Sequence, residues 1–255
     1  MTDLSVIIPT YNEEPNIRRT TETCLAYLRS CRTTWELLLL DDGSRDGTLA
    51  IEQELARAEP RVRVLARVPN RGKGYAVREG MLAATGAARL FLDADYSTPI
   101  EEVEKLLPHL QGDCAVAIGT RRTRNALIET KPPLHRYFLG ELYVLLASWL
   151  LGCRVSDYNC GFKAFRGDAA DRLFRLARRN DWSFDAEVLA LAGRLGYRIA
   201  EVPVRWAHAQ ATSKVRPLRD GLRSFRALLQ IRRDLKAGTY AKERRMDADG
   251  RRREE

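Results

Sequence analysis

Short apolar runs that stop at polar clusters alternate with amphipathic stretches through the first half of the chain. Residues 4–8 (Leu-Ser-Val-Ile-Ile) form one run, closed by Pro9. Residues 35–40, 62–65, 88–92 and 114–118 form four more. Each is short and bounded by turn-forming residues, which predicts buried strands. Between them, residues 16–30, 46–58 and 74–85 repeat their apolar positions at helical spacing, and Asp46 is placed to cap the second of these. A further helix is expected from Thr98 as N-cap and Pro99 as first residue, with Glu101 and Glu102 in the first turn. Strand and helix in alternation predict an α/β chain: a mostly parallel sheet with helices on both faces.

The pattern changes after residue 125. Residues 134–151 are long and apolar but hold Arg136 and Glu141. Residues 168–178 and 185–195 read as amphipathic helices, 199–206 as a strand, and 217–235 as an arginine-rich helix. From residue 236 the chain is polar and disorder is expected. No repeat or Pro/Gly-rich linker divides it, so one domain over 1–235 and a tail over 236–255 are expected.

Of 255 residues, 45% are hydrophobic, enough for a large core, and the formal net charge of +9 is compatible equally with a polyanionic partner or anionic membrane and with a solvated arginine-rich surface. The five cysteines contain no Cys-X-X-Cys and match no zinc spacing, so they read as buried thiols in a reducing compartment. No signal peptide is expected from the short run at 4–8, which lacks a basic flank and a cleavage site.

Parallel sheets bind ligands at the carboxyl ends of their strands. The polar clusters fall there: residues 10–13, 41–44, 93–95 and 119–122. Asp93 and Asp95 follow the run 90–92 and alternate onto one side of an extended chain. Two such carboxylates repel unless a cation lies between them, and a divalent ion carrying a diphosphate meets that need. Asp-X-Asp alone also occurs as a solvated turn; a second acidic pair, Asp41-Asp42, at another strand end favours a ligand site. An exposed carboxylate there would accept hydrogen bonds from a base or ribose, or else form the turn before Gly43. Asn70-Arg-Gly-Lys-Gly74 precedes a helix whose N-terminus favours phosphate, although it is not a P-loop and a flexible basic turn is an equal alternative.

Four ordered motifs resemble glycosyltransferase family 2: Val6-Ile-Ile-Pro-Thr-Tyr-Asn-Glu-Glu14, Asp41-Asp-Gly-Ser-Arg-Asp-Gly-Thr48, Asn70 to Gly74, and Asp93-Ala-Asp95. The second half resembles the dolichyl-phosphate glucose and mannose synthases through Asp157-Tyr-Asn-Cys-Gly-Phe-Lys163, Ser183-Phe-Asp-Ala-Glu187, Glu201-Val-Pro-Val204 and Ser213-Lys214. The glucose branch fits better, through Ser97-Thr-Pro99 and the Cys-Gly-Phe-Lys run. Two positions depart from its pattern: Tyr158-Asn159 stands for Thr-Gln, and Thr212 for a glycine.

The resemblance implies the A-type glycosyltransferase fold, Rossmann-like, with residues 1–122 binding the nucleotide-sugar and 123–235 the acceptor. It implies inverting, metal-dependent transfer of glucose from UDP-glucose to a polyprenyl or dolichyl phosphate. The alternatives are GDP-mannose as donor, or an acceptor that is not a lipid. Pro9, Tyr11, Glu13, Asp41, Asp42 and Lys73 would hold the nucleotide, with Asp93. Asp93 and Asp95 would hold Mg or Mn. Arg121 and Arg136 would meet phosphates, with Ser213 and Lys214 at the acceptor phosphate. A phosphate monoester, with a second pKa of roughly 6, is already mostly dianionic at neutral pH and needs no base to become a nucleophile. Asp157 and Asp185 are therefore expected to orient sugar hydroxyls or arginines.

The helix near 134–152 approaches the length of a membrane span, but its His135, Arg136 and Glu141 favour an interfacial placement, with Tyr137, Phe138, Tyr143 and Trp149 at the headgroup boundary. A core helix is the alternative. Arginines 216, 219, 223, 226, 232 and 233 would add attraction to anionic lipid. A cytoplasmic protein held at the cytoplasmic face of a membrane is expected. Nucleic acid is not an expected partner, because no RNA-type aromatic motif accompanies the basic residues.

Overall fold

In a computed structural model, residues 2–123, 126–128, 134–207 and 217–240 are described, with backbone alone at 134–137 and 217–222. Three strands, β1 (Leu4–Thr10), β2 (Trp35–Asp41) and β5 (Cys114–Thr120), are buried along their whole length. Continuous apolar runs of this kind suit a sheet covered on both sides. With β3 (Val62–Ala66), β4 (Ala88–Leu92), β7 (Phe162–Arg166) and β8 (Arg198–Pro203) they form one seven-stranded sheet in the order β3-β2-β1-β4-β7-β5-β8. All its pairings are parallel except those of β7. The α/β reading therefore holds. A separate parallel pair joins β6 (Leu127–Ile128) to β9 (Arg205–Trp206).

Strand alternation divides the core in two. Ile7, Leu38, Leu40, Phe91, Val116, Ile118 and Phe165 face one side. There they meet α3 (Lys73–Ala83), α5 (Leu134–Leu151), α6 (Gly167–Leu176), α7 (Phe184–Arg194) and α8 (Pro217–Lys236). Val6, Ile8, Leu37, Leu39, Leu90 and Phe162 face the other, against α1 (Glu14–Ser30) and α4 (Val103–Gln111). The helix α2 (Thr48–Ala58) lies beside α1.

Five details differ from the expectation. β1 runs through Pro9 to Thr10, because strand pairing continues to Asp41. α2 begins at Thr48, with Asp46 accepting its N–H at 3.1 Å from two residues upstream. Thr98 is buried and caps nothing; Pro99 instead precedes a 3-10 turn, Ile100–Glu102, that leads into α4. Of the cysteines, Cys31 is only half-buried, the other four being buried free thiols. Finally, the packed part extends past residue 236: Tyr240 is buried and donates to Glu187 at 2.8 Å. Residues 241–255 lie outside the described residues.

β7 matters most for function. It is antiparallel and inserted between β4 and β5, pairing Phe162 with Leu92 and Lys163 with Ile118. Its entry loop, residues 157–161, is thereby delivered to the same edge as the carboxyl ends of the parallel strands.

Candidate active site

Asp93 leaves β4 at that edge, and its N–H donates to the Gly161 carbonyl at 3.1 Å. The approach is so close that a Cβ on residue 161 would overlap the Asp93 carboxylate, so only glycine fits. The opposite carboxylate oxygen, Oδ1, receives the Lys73 ammonium at 2.5 Å. Burial works against that ammonium, but the carboxylates of Asp93, Asp185 and Asp95 outweigh it and raise its pKa. Asp95 turns the chain by accepting the Ser97 N–H at 3.0 Å, and Tyr96 between them takes a positive φ of 55°.

Behind this pair lies Lys163, which is 1% exposed and donates to Asp185 at 2.6 Å and to the Cys160 carbonyl at 2.5 Å. Burial raises the pKa of Asp185, and the charges of Lys163 and Lys73 oppose that rise. Beside it, Arg121 follows β5 and clasps Asp157 through Nε at 2.7 Å and Nη2 at 2.8 Å. This bidentate geometry fixes the guanidinium plane. Burial would raise Asp157, but Arg121 outweighs it and holds the carboxyl below its ordinary value. The Arg121 guanidinium also lies 5.2 Å from the centre of the Trp206 ring.

Asp41 and Asp42 differ from the expectation of an exposed pair: they are 2% and 3% exposed. Asp41 accepts the N–H groups of Gly43 and Ser44, both at 3.2 Å. Asp42 accepts those of Arg71 at 2.9 Å and Gly72 at 2.6 Å, and burial raises its pKa. Parallel strands leave their last peptides unpaired, and here these side chains satisfy the loops that follow.

Pro9 is buried in β1, Tyr11 is exposed at its end, and Glu13 precedes α1, where its carboxylate accepts Asn16 Nδ2 at 2.8 Å. The edge thus gathers Pro9, Tyr11, Glu13, Lys73, Asp93, Asp95, Arg121, Asp157 and Asp185. The side chain of Arg136, and Ser213 and Lys214 entirely, lie outside the described residues. Sequence reasoning missed Gly161, Trp182 and the role of Lys163. Only Gly161 had a signal, a glycine directly before an apolar residue in the Cys-Gly-Phe-Lys run.

Among the described residues no group of three or more His, Cys, Asp or Glu is arranged to hold a metal by itself. The residues nevertheless fit a divalent ion shared with a diphosphate. Three cations, Lys73, Arg121 and Lys163, face four carboxylates, Asp93, Asp95, Asp157 and Asp185. The Lys73 ammonium stands on Asp93 as a cation would.

The glycosyl transferase family 2 profile matches residues 5–174. The chain is 37% identical over 248 residues to the dolichyl-phosphate beta-glucosyltransferase of Drosophila melanogaster, covering 91% of this chain and 73% of that one. It is 34% identical over 246 residues to the Homo sapiens protein of the same name, covering 90% and 74%. Among solved structures it resembles the glucosyl-3-phosphoglycerate synthase of Mycobacterium tuberculosis in complex with Mn2+, UDP-glucose and phosphoglyceric acid. The TM-score is 0.66 and the identity 25%, with 91% of this chain and 79% of that one covered. The sheet is that of the A-type glycosyltransferases.

Proposed function

The chain belongs to glycosyl transferase family 2, in its dolichyl-phosphate β-glucosyltransferase branch, and from this premise we propose a mechanism by which it transfers glucose from UDP-glucose to dolichyl phosphate. The observation that carries the proposal is the pair Asp93–Lys73 at the sheet edge, with Asp95 beside it. A carboxylate that holds a lysine in the free protein is ready to exchange it for a stronger cation. Asp93 and Asp95 would hold Mg or Mn, which supplies positive charge to the departing diphosphate. Lys73, paired with Asp93 in the free protein, would supply a further positive charge to the same phosphates. Tyr11 and Glu13 border the nucleoside side. Asp42, whose carboxylate oxygens accept the N–H groups of Arg71 and Gly72, would shape the nucleoside side by holding that backbone in place.

The acceptor phosphate oxygen attacks the anomeric carbon as the bond to the β-phosphate breaks, so an α-linked donor gives a β-linked product. No residue must remove a proton. Asp157 and Asp185, the two candidates for a base, are committed to Arg121 and Lys163. Arg121 is held at the edge to screen the repulsion between the two phosphates, with Arg136, Ser213 and Lys214 as the further acceptor contacts. Incubation of the purified protein with labelled UDP-glucose, Mn2+ and a short polyprenyl phosphate tests this. Label should pass into the lipid, and none should come from GDP-mannose. Transfer to phosphoglycerate but not to lipid would overturn the acceptor assignment.

The lipid acceptor calls for contact with a membrane surface. No described helix is long and apolar enough to cross one. α5 instead divides its faces: Ala147 and Leu150 are buried, while Phe138, Leu142, Leu145 and Trp149 are exposed. Phe225 and Leu229 of α8, a helix packed against α5, are also exposed, and Arg232 lies 5.3 Å from the Trp149 ring. An apolar stripe rimmed by arginine suits the headgroup boundary of anionic lipid at the cytoplasmic face. Replacing Leu142, Leu145 and Trp149 by serine should release the protein from anionic vesicles in flotation while UDP binding is unchanged. Retained flotation would contradict this placement.

A further inference from the structure

Trp182 is 67% exposed, yet the loop that carries it, between α6 and α7, is fastened at every turn. Glu187 accepts the N–H groups of Arg178 at 2.9 Å and Arg179 at 2.8 Å. The Asn180 carbonyl accepts the Gly74 N–H at 2.8 Å, and its side chain receives Arg78 at 2.9 Å. Gly72, at a φ of 106°, has no room for a Cβ because the Asn180 carbonyl fills that space. Asp181 closes the loop by accepting the Ser183 N–H at 2.9 Å. These bonds fix the backbone that carries the indole, while the indole itself stays largely in solvent.

The ring faces the donor site. The Lys73 ammonium lies 4.7 Å from its centre and 2.5 Å from Asp93 Oδ1. One cation thus separates the aromatic face from the carboxylate that would hold the donor's metal. A hexose on the β-phosphate lies next to the diphosphate, and its C–H faces are drawn to an aromatic face much as a cation is. Leaving a large indole in water forgoes the free energy of burying it, which a ligand covering it recovers. We propose that Trp182 is the platform on which the transferred hexose stacks, so that it recognises the sugar and not the nucleotide. This rests on the donor reading given above.

Calorimetric titration of UDP-glucose and of UDP, in Mn2+, tests it on the wild type and three variants. Trp182→Ala should weaken UDP-glucose roughly tenfold, the upper part of what an aromatic contact contributes, and UDP by less than about twofold. Trp182→Leu, which keeps bulk without an aromatic face, should follow the alanine variant and keeps the test valid if the alanine variant is unstable. Trp182→Phe should recover most of the affinity. UDP-glucose should change the tryptophan emission of the wild type by more than that of Trp182→Phe, in which Trp206 beside Arg121 remains. Equal weakening of both ligands, or of neither, would overturn the platform. A wild type that binds neither UDP nor UDP-glucose would instead defeat the donor reading, and the platform with it.

Discussion

Two acidic pairs end the strands that flank β1 on either side, and they do opposite work. Asp41-Asp42 closes β2, is nearly inaccessible, and spends its oxygens on the backbone of the two loops that follow. Asp93 and Asp95 follow β4 and are only half-buried. There one carboxylate carries a lysine and the other a single N–H. A carboxylate satisfied by fixed amides belongs to the scaffold, since removing it strands buried donors. A carboxylate satisfied by a flexible side chain can trade that partner for a ligand.

The contrast is sharpest under substitution. Asp95→Ala should lower glucose transfer on the order of 10³-fold with the melting temperature unchanged, since it removes a charge needed only as UDP departs. A steady-state transfer assay with parallel thermal unfolding reads both. Preserved activity would remove Asp95 from the metal site.

The scaffold side also predicts a pH effect. Glu52 of α2 is fully buried under the end of β1 and accepts from Thr10 at 2.7 Å, while its second oxygen has no partner. Burial first, and then the charges of Asp41 and Asp46, push its pKa up to about 8 from the ordinary glutamate value of 4.5. The folded state keeps this proton through a window in which the unfolded state has lost it. Stability should therefore fall as pH rises from 4.5 to 8, by up to a few kcal/mol. Glu52→Gln mimics the protonated form and should lose that part of the pH dependence, being more stable than wild type at pH values above about 8. Urea unfolding across the window would show no difference if Glu52 titrates normally.

Asp42→Ala should cost about 2 kcal/mol of stability, because the Arg71 and Gly72 amides lose their acceptor. Denaturant midpoints give the value. Unchanged stability with UDP binding lost would instead make Asp42 a direct nucleoside contact. The smallest effect is at Lys73. Lys73→Met should bind Mn2+ roughly tenfold more tightly without donor, since nothing then competes for Asp93, while UDP binding weakens. Electron paramagnetic resonance of free Mn2+ measures the first and calorimetry the second. Weaker Mn2+ binding would contradict the exchange.

Most of this arrangement was legible in the sequence. The five parallel strands among residues 4–120 show as apolar runs, because a strand buried on both faces needs no polar alternation. The acidic clusters mark their ends. β7 was hidden, since five residues that include Lys163 and Arg166 do not read as an interior strand; only the fold supplies the Asp185 that neutralises Lys163. The division of labour between the two acidic pairs was hidden for a similar reason. Asp41-Asp42 and Asp93-Ala-Asp95 both look like ligand carboxylates until the loops at 43–44 and 71–72 are seen to fold back on the first pair. Trp182 gave no signal, because its place over Lys73 depends on contacts between segments about 100 residues apart.

Diffraction from crystals holding Mn2+ and UDP-glucose, recorded at a wavelength where manganese scatters anomalously, tests the exchange at Asp93 most directly. The account predicts one manganese peak bound by Asp93 and Asp95, with the Lys73 ammonium moved from Asp93 onto the diphosphate. Manganese bound elsewhere, with the Asp93–Lys73 pair intact beside the bound nucleotide, would contradict it.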